Sequence, residues 1–184
     1  ELYSEIQVAN NIIIIAYSAG GVVAVDFIIK YQPQIQQLIL MNSTPCFIAN
    51  DIDNWHGLAQ ADLLNMQKKL SQLSLENFLQ SFAYIATYPQ RVQNKTLENL
   101  YSRFCNKKRI SYWLQILLDY DLRIAFSQLN LPILIILSKE DNLVSINNEY
   151  QNIKVKKIIL ANATHVNFVT TELQSTIKGV LNGY

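Results

Sequence analysis

Three side chains of the kinds that together activate a hydroxyl for attack on an acyl carbon stand far apart in this chain. They are Ser18 in IIIIAYSAGG (residues 12–21), Asp141 in PILIILSKEDNLVS (residues 132–145) and His165 in ANATHVNF (residues 161–168). A serine hydroxyl is a weak nucleophile until a base removes its proton. The usual base is an imidazole held in one tautomer by a carboxylate.

Ser18 ends an aliphatic run and is flanked two residues away by Ala16 and Gly20. A chain that reverses sharply at Ser18 brings those two positions together, and small residues avoid the clash. This is the G-x-S-x-G elbow with alanine in the first place, which predicts an exposed Oγ at the tip of a strand-to-helix turn. The N–H of Ala19 then sits at a helix N-terminus, where it can donate to a developing oxyanion. The same small-Ser-small pattern also serves as a plain helix N-cap, so the choice rests on whether a base and an acid stand in matching places.

Only two histidines are available as the base. His165 follows the last strand-like run and precedes the terminal helical pattern, which predicts a loop at the C-terminal edge of a sheet, where ligands gather in open α/β folds. His56, in NWHGL, has no such setting and reads as exposed or packed on neighbouring helices. For the carboxylate, Asp141 is chosen over Glu140 because it lies one residue farther into the loop after its strand; Glu140 stays open as the orienting acid or as a solvated charge. The order Ser18, Asp141, His165 is the Ser…Asp/Glu…His order of α/β-hydrolases.

The elements that must carry these residues are legible in the apolar pattern. Ile12–Ala16, Leu131–Leu137 and Val155–Leu160, the last with two lysines near its start, are short continuous apolar runs, and Gln36–Met41 makes a fourth; such runs predict parallel strands buried on both faces. Helical patterns come next at Gly20–Tyr31, Ile146–Gln151 and Val169–Leu181, so the fold class is α/β. From about Asn50 to Gln128 the rhythm breaks into amphipathic segments near 60–72, 75–87, 91–105 and 110–128, punctuated by Pro89 and NKKR (residues 106–109). The expected organisation is a mostly parallel core, residues 1–49 and 129–184, with a helical cap inserted over 50–128.

The chain has 184 residues, half of them hydrophobic and 16% charged, with a formal net charge of +1, which gives no global signature of nucleic-acid binding. Cys46 and Cys105 are too few for a disulfide framework or a zinc site and read as reduced thiols. No apolar run approaches the roughly 20 residues of a membrane span, so a soluble chain is expected. Side chains supply the nucleophile, base and orienting acid, so the reading requires no metal and no organic cofactor.

These residues resemble the BioH family of pimeloyl-acyl-carrier-protein methyl ester carboxylesterases, within the α/β-hydrolase superfamily. The stretches that carry the resemblance are AYSAGGVVA at the elbow, NSTPCF at 42–47, WLQILLDYDLR at 113–123, LSKEDNLVS around Asp141 and ANATHVNF around His165. It implies a cytosolic serine esterase that removes the methyl group from a pimeloyl chain carried on acyl-carrier protein, in biotin synthesis. Ser18 would attack, His165 would relay the proton, Asp141 would fix the imidazole, and Ala19 would supply half of the oxyanion hole. Tyr17 and Phe47 become candidates for the wall of an acyl tunnel, with ordinary core packing as the alternative. Docking of the acidic carrier protein would fall to Arg91, Lys95, Arg103, Lys107, Lys108 and Arg109, which face one acid, Glu98, in that interval; a solvated helical face is the alternative. The absence of basic residues from Ser71 to Gln90 departs from the family's docking surface.

The elbow arrives at residue 18, whereas α/β-hydrolases run through several strands before theirs, one early loop giving a second oxyanion donor. The expectation is that the first strands are missing, supplied by a longer polypeptide or by another chain. Two other functions remain in view: a carboxylesterase for short free esters, and a noncatalytic binding module that keeps the cap.

Overall fold

The computed structural model describes residues 12–89, 106–166 and 171–182. Four strands, β1 (Ile13–Tyr17), β2 (Gln37–Met41), β3 (Ile133–Ser138) and β4 (Val155–Leu160), pair in that order, every pair parallel. Helix α1 (Ala19–Tyr31) crosses from β1 to β2. Between β2 and β3 lie α2 (Gln60–Gln72), α3 (Leu75–Thr87), α4 (Lys107–Asp119) and the single turn α5 (Arg123–Ser127); α6 (Thr171–Asn182) comes after β4.

Side chains alternate across the pleat, and the sheet therefore feeds two cores. Leu38, Leu40, Ile133, Ile135 and Leu137 point to one face with Val22, Val25 and Ile28 of α1. Ile39, Met41, Leu134 and Ile136 point to the other with Leu160, Ala163 and Leu173 of α6. Every residue of β2 and β3 is buried, as continuous apolar runs predict. The outer strands differ: β1 is only partly buried, and β4 exposes both lysines and Ile159. The expectation that Val155–Leu160 is covered on both faces is thus corrected. As the outer strand of this sheet, β4 carries Lys156 and Lys157, charges typical of strand edges.

The inserted helices have a core of their own, with Leu63, Leu70, Phe78, Leu79 and Leu114 at its centre. Ala86, Ile116 and Phe126 join the sheet's first face. Two helix limits differ from the sequence reading. The NKKR stretch is not a break but a start, because the Asn106 side chain accepts from the Arg109 N–H at 2.9 Å and caps α4. The segment 110–128 is two helices, separated where Leu122 N–H donates to Pro45 C=O. The helix expected at Ile146–Gln151 is absent. There Asn148 brackets the backbone of His56 through both its N–H and its C=O, and Asn152 donates to the carbonyls of Phe126 and Leu129. Asparagines that tie down other segments in this way favour turns over helix.

Among the described residues no helix is long and apolar enough to cross a membrane.

Candidate active site

The loops that leave the C-terminal ends of the strands assemble the site. After β1 the chain reverses at Ser18, which has φ 51° and ψ −132°. An L-residue held there costs about 1–3 kcal/mol. Burial of one aliphatic side chain such as Leu40, about 1.5–3 kcal/mol, is enough to offset it. Ser18 occupies the N-cap position of α1, yet its side chain makes no capping hydrogen bond. Its Oγ lies 2.8 Å from His165 Nε2 instead, so the plain N-cap alternative fails. Ala19 heads α1 directly beside it.

The tightness of the turn falls one residue later than the motif predicts. A Cβ at Gly20 would meet nothing within 4 Å, whereas one at Gly21 would collide with Ser43 Oγ and stand 2.8 Å from Ser43 Cβ. The position without room is Gly21, because α1 starts against the chain leaving β2.

After β3, Asp141 turns back over the sheet. Its Oδ1 accepts from the N–H groups of Leu143 (2.7 Å) and Val144 (3.1 Å), and its Oδ2 lies 2.8 Å from His165 Nδ1. The side chains of His165 and Asp141 are 2% and 0% exposed. Glu140, the rival carboxylate, uses its backbone N–H on Ala163 C=O, and the carboxylate that meets the imidazole is Asp141. Because a carboxylate only accepts, the proton of neutral His165 belongs on Nδ1, which leaves Nε2 as the acceptor facing Ser18. His56 is exposed and takes no part in this cluster; its backbone pairs with Asn148.

Sequence reasoning missed the residues that hold the loops. Asn42, 1% exposed, donates to the carbonyls of His165 and Thr164 and accepts from Ser138 N–H. Ser43 Oγ donates to Ser18 C=O at 2.6 Å. The available signal was a polar Asn-Ser pair directly after the apolar run Leu38–Met41.

Tyr17 and Phe47, the candidates for a tunnel wall or for core packing, both sit against the sheet's cores. Phe47 is 2% exposed in the sheet's first core, which is ordinary packing. Tyr17 packs against the second core, lays its ring 5.3 Å from that of His165, and donates its hydroxyl to His165 C=O at 2.9 Å. Neither residue lines any of three cavities found among the described residues. One of about 300 Å³ lies over the loop from Lys139 to Asn147, Asp141 included. A second, of about 500 Å³, lies between α2 and that loop, among Leu58, Met66, Ile85 and Leu143, with Lys68 and Lys69 at its margin. The third, about 530 Å³, is bounded by Trp55, Arg123 and Tyr150.

Of the six basic candidates for docking, Arg91, Lys95 and Arg103 lie outside the described residues. Lys107, Lys108 and Arg109 are exposed on the first turn of α4, and Lys107 Nζ donates to Leu73 C=O. Among the described residues no group of His, Cys, Asp and Glu could hold a metal ion.

Known proteins share this fold or parts of this sequence. The family model described as serine aminopeptidase, S33, matches residues 2–165. The chain is 27% identical over 169 residues to a pimeloyl-[acyl-carrier protein] methyl ester esterase of Wigglesworthia glossinidia brevipalpis, covering 86% of this chain and 64% of that protein. It is 31% identical over 147 residues to the protein of the same name from Salmonella heidelberg, covering 75% of this chain and 56% of that one. The chain thus spans between 56% and 64% of the length of these two relatives. An esterase from Exiguobacterium antarcticum superposes with a TM-score of 0.83 at 17% identity, covering all of this chain and 69% of the other. A bromoperoxidase from Bacillus anthracis gives 0.80 at 17%, over 98% and 69%.

Proposed function

From the premise that the chain belongs to the α/β-hydrolase family described as serine aminopeptidase, S33, we propose that it is a serine carboxylesterase acting on the methyl ester of a pimeloyl chain carried on acyl-carrier protein. The observation that carries the reading is the unbroken contact from Asp141 Oδ2 through both ring nitrogens of His165 to Ser18 Oγ, 2.8 Å at each step.

In this mechanism His165 Nε2 takes the Ser18 proton as Oγ attacks the ester carbonyl. The carbonyl oxygen becomes the oxyanion, and the N–H of Ala19 donates to it. The imidazolium, held by Asp141, returns the proton to the departing methoxide, so methanol leaves and the acyl group stays on Ser18. A water molecule then repeats the sequence: its proton goes to His165 and its oxygen to the acyl carbon. The free carboxylate leaves, and Ser18 regains its proton.

The substrate class is supported by the curated relatives' printed names. The exposed basic turn at Lys107, Lys108 and Arg109, with Lys68 and Lys69 beside the second cavity, suits an acidic carrier protein. Incubation with a fluorophosphonate probe and with pimeloyl-carrier methyl ester tests the reading. Wild type should be labelled and should release methanol, while Ser18→Ala should lose about 10⁶-fold in kcat, by analogy with serine hydrolases stripped of their nucleophile. Cleavage of short free esters alone would remove the carrier-protein assignment. Absence of labelling in wild type would leave a noncatalytic module.

A further inference from the structure

We propose that Asn42 and Ser43, with the hydroxyl of Tyr17, form one positioning hub that keeps the nucleophile, acid and base loops in mutual register. The proposal rests on the triad reading above and adds residues that touch none of the reacting atoms.

The observation is a convergence on one dipeptide. Asn42 N–H donates to Ile136 C=O, and its side-chain Oδ1 accepts from Ser138 N–H at 2.9 Å, which fixes the end of β3 from which the Asp141 loop departs. Asp141 N–H in turn donates to Ser138 C=O. On its other side, Asn42 Nδ2 donates to His165 C=O at 2.8 Å and Thr164 C=O at 3.2 Å. One amide therefore spans the acid's loop and the base's loop. Its orientation is set by chemistry, since only oxygen accepts from an N–H and only nitrogen donates to two carbonyls. The residue stands at φ 42°, where asparagine is one of the few tolerated side chains.

Ser43, fully buried, serves the third loop. Its Oγ donates to Ser18 C=O, while Ser18 N–H donates to Met41 C=O at 3.0 Å, so residues at the end of β2 grip the nucleophile's backbone through both its N–H and its C=O. Tyr17, the residue before the nucleophile, closes the circuit by donating to the same His165 carbonyl that Asn42 holds. Base, nucleophile and acid are thus referred to a single rigid strand end instead of to three independent loops. Proton transfer across 2.8 Å is sensitive to such placement, and a displacement of about 1 Å can cost about 10²-fold.

Three variants test the hub. Asn42→Asp keeps the shape, the tolerated φ and the acceptor for Ser138 but cannot donate to the two carbonyls. Ser43→Ala removes the hydrogen bond to Ser18 C=O, one of the two that hold the elbow, and Tyr17→Phe removes only the hydroxyl. Each is measured for kcat and KM on a short ester, for its rate of fluorophosphonate labelling, for melting temperature, and for the downfield proton resonance of His165 Nδ1–H. Asn42→Asp and Ser43→Ala should lower kcat and labelling rate by about 10- to 100-fold with KM unchanged, and Asn42→Asp should shift or broaden the imidazole resonance. Tyr17→Phe should lose about threefold, because Asn42 still holds the shared carbonyl. Wild-type kcat in folded Asn42→Asp, or in both Ser43→Ala and Tyr17→Phe should that variant not fold, overturns the hub and leaves the triad reading intact. Failure of the wild type to label overturns both.

Discussion

Two carboxylates in this molecule each grip a nitrogen-bearing side chain at nearly the same distance, and they do different things. Asp141 meets His165 at 2.8 Å, the aspartate 0% and the histidine 2% exposed. Asp121 meets Arg123 at 2.6 Å, 50% and 17% exposed, and Asp53 joins the same guanidinium at 3.0 Å. Arg123 also lies 5.3 Å over the ring of Trp55. The second cluster ties the start of the inserted helical segment to its end. Water separates the two cases. Removing one partner of a buried pair costs about 3–5 kcal/mol because the other is stranded, while an exposed pair is worth about 0–1 kcal/mol. In the proposed mechanism the enclosed pair directs a proton, whereas the wet pair latches two stretches of chain.

That contrast can be broken most sharply at Asp141. In Asp141→Asn the amide cannot hold His165 in the tautomer that leaves Nε2 free, and kcat for ester hydrolysis should fall about 10⁴-fold, as in other triads so altered. A loss under tenfold in steady-state assays would mean the buried pair is structural like the exposed one. At the latch, Arg123→Ala should leave kcat on short esters within about twofold. Losing two solvent-facing ion pairs and a cation–π contact, about 1 kcal/mol in all, should lower the melting temperature by about 2–4 °C in calorimetry. A collapse of kcat there would show that the latch reaches the site.

The smallest expected effect concerns acid. The hydrogen bonds from Arg123 hold the Asp121 carboxyl below its ordinary value of 3.8. The folded state thus favours the ionised form, and the associated stability is present above pH 3.8 and lost as pH falls through the lower, folded value. Asp121→Asn should therefore be less stable than wild type at about pH 5 and approach it toward about pH 2, as read from urea unfolding midpoints. An unchanging difference across that range would detach the latch from this charge.

The candidate site was more legible in the sequence than the scaffolding around it. Ser18 and His165 stood out because each comes after an aliphatic run and because histidine is scarce, so strand ends alone brought them into view. Asp141 was preferred to Glu140 only for lying one residue farther into the loop, and position alone left Glu140 open. The distinction lies in geometry, where the shorter side chain accepts from the N–H groups two and three residues onward, a turn that aspartate favours. Asn42 and Ser43 were invisible as positioning groups because their partners, at 138, 164, 165 and 18, are distant in sequence. The misplaced helix at 146–151 has the same origin, since Asn148 and Asn152 spend their amides on remote backbone. Short apolar runs likewise say that a strand is buried but not by how much, which separates β4 from β3.

The pairing of Leu38 with Ile133 joins two strands between which the whole inserted helical segment is threaded. A ribosome that has finished β2 must deliver all of those helices before β3 exists, on the order of 5–20 s at about 5–20 residues per second. Throughout that interval the aliphatic edge of β2 has no partner on that side, and the hydroxyl of Ser18 waits without its imidazole. The newborn chain therefore carries an unpaired apolar strand edge, of the kind that favours aggregation, until β3 has left the exit tunnel.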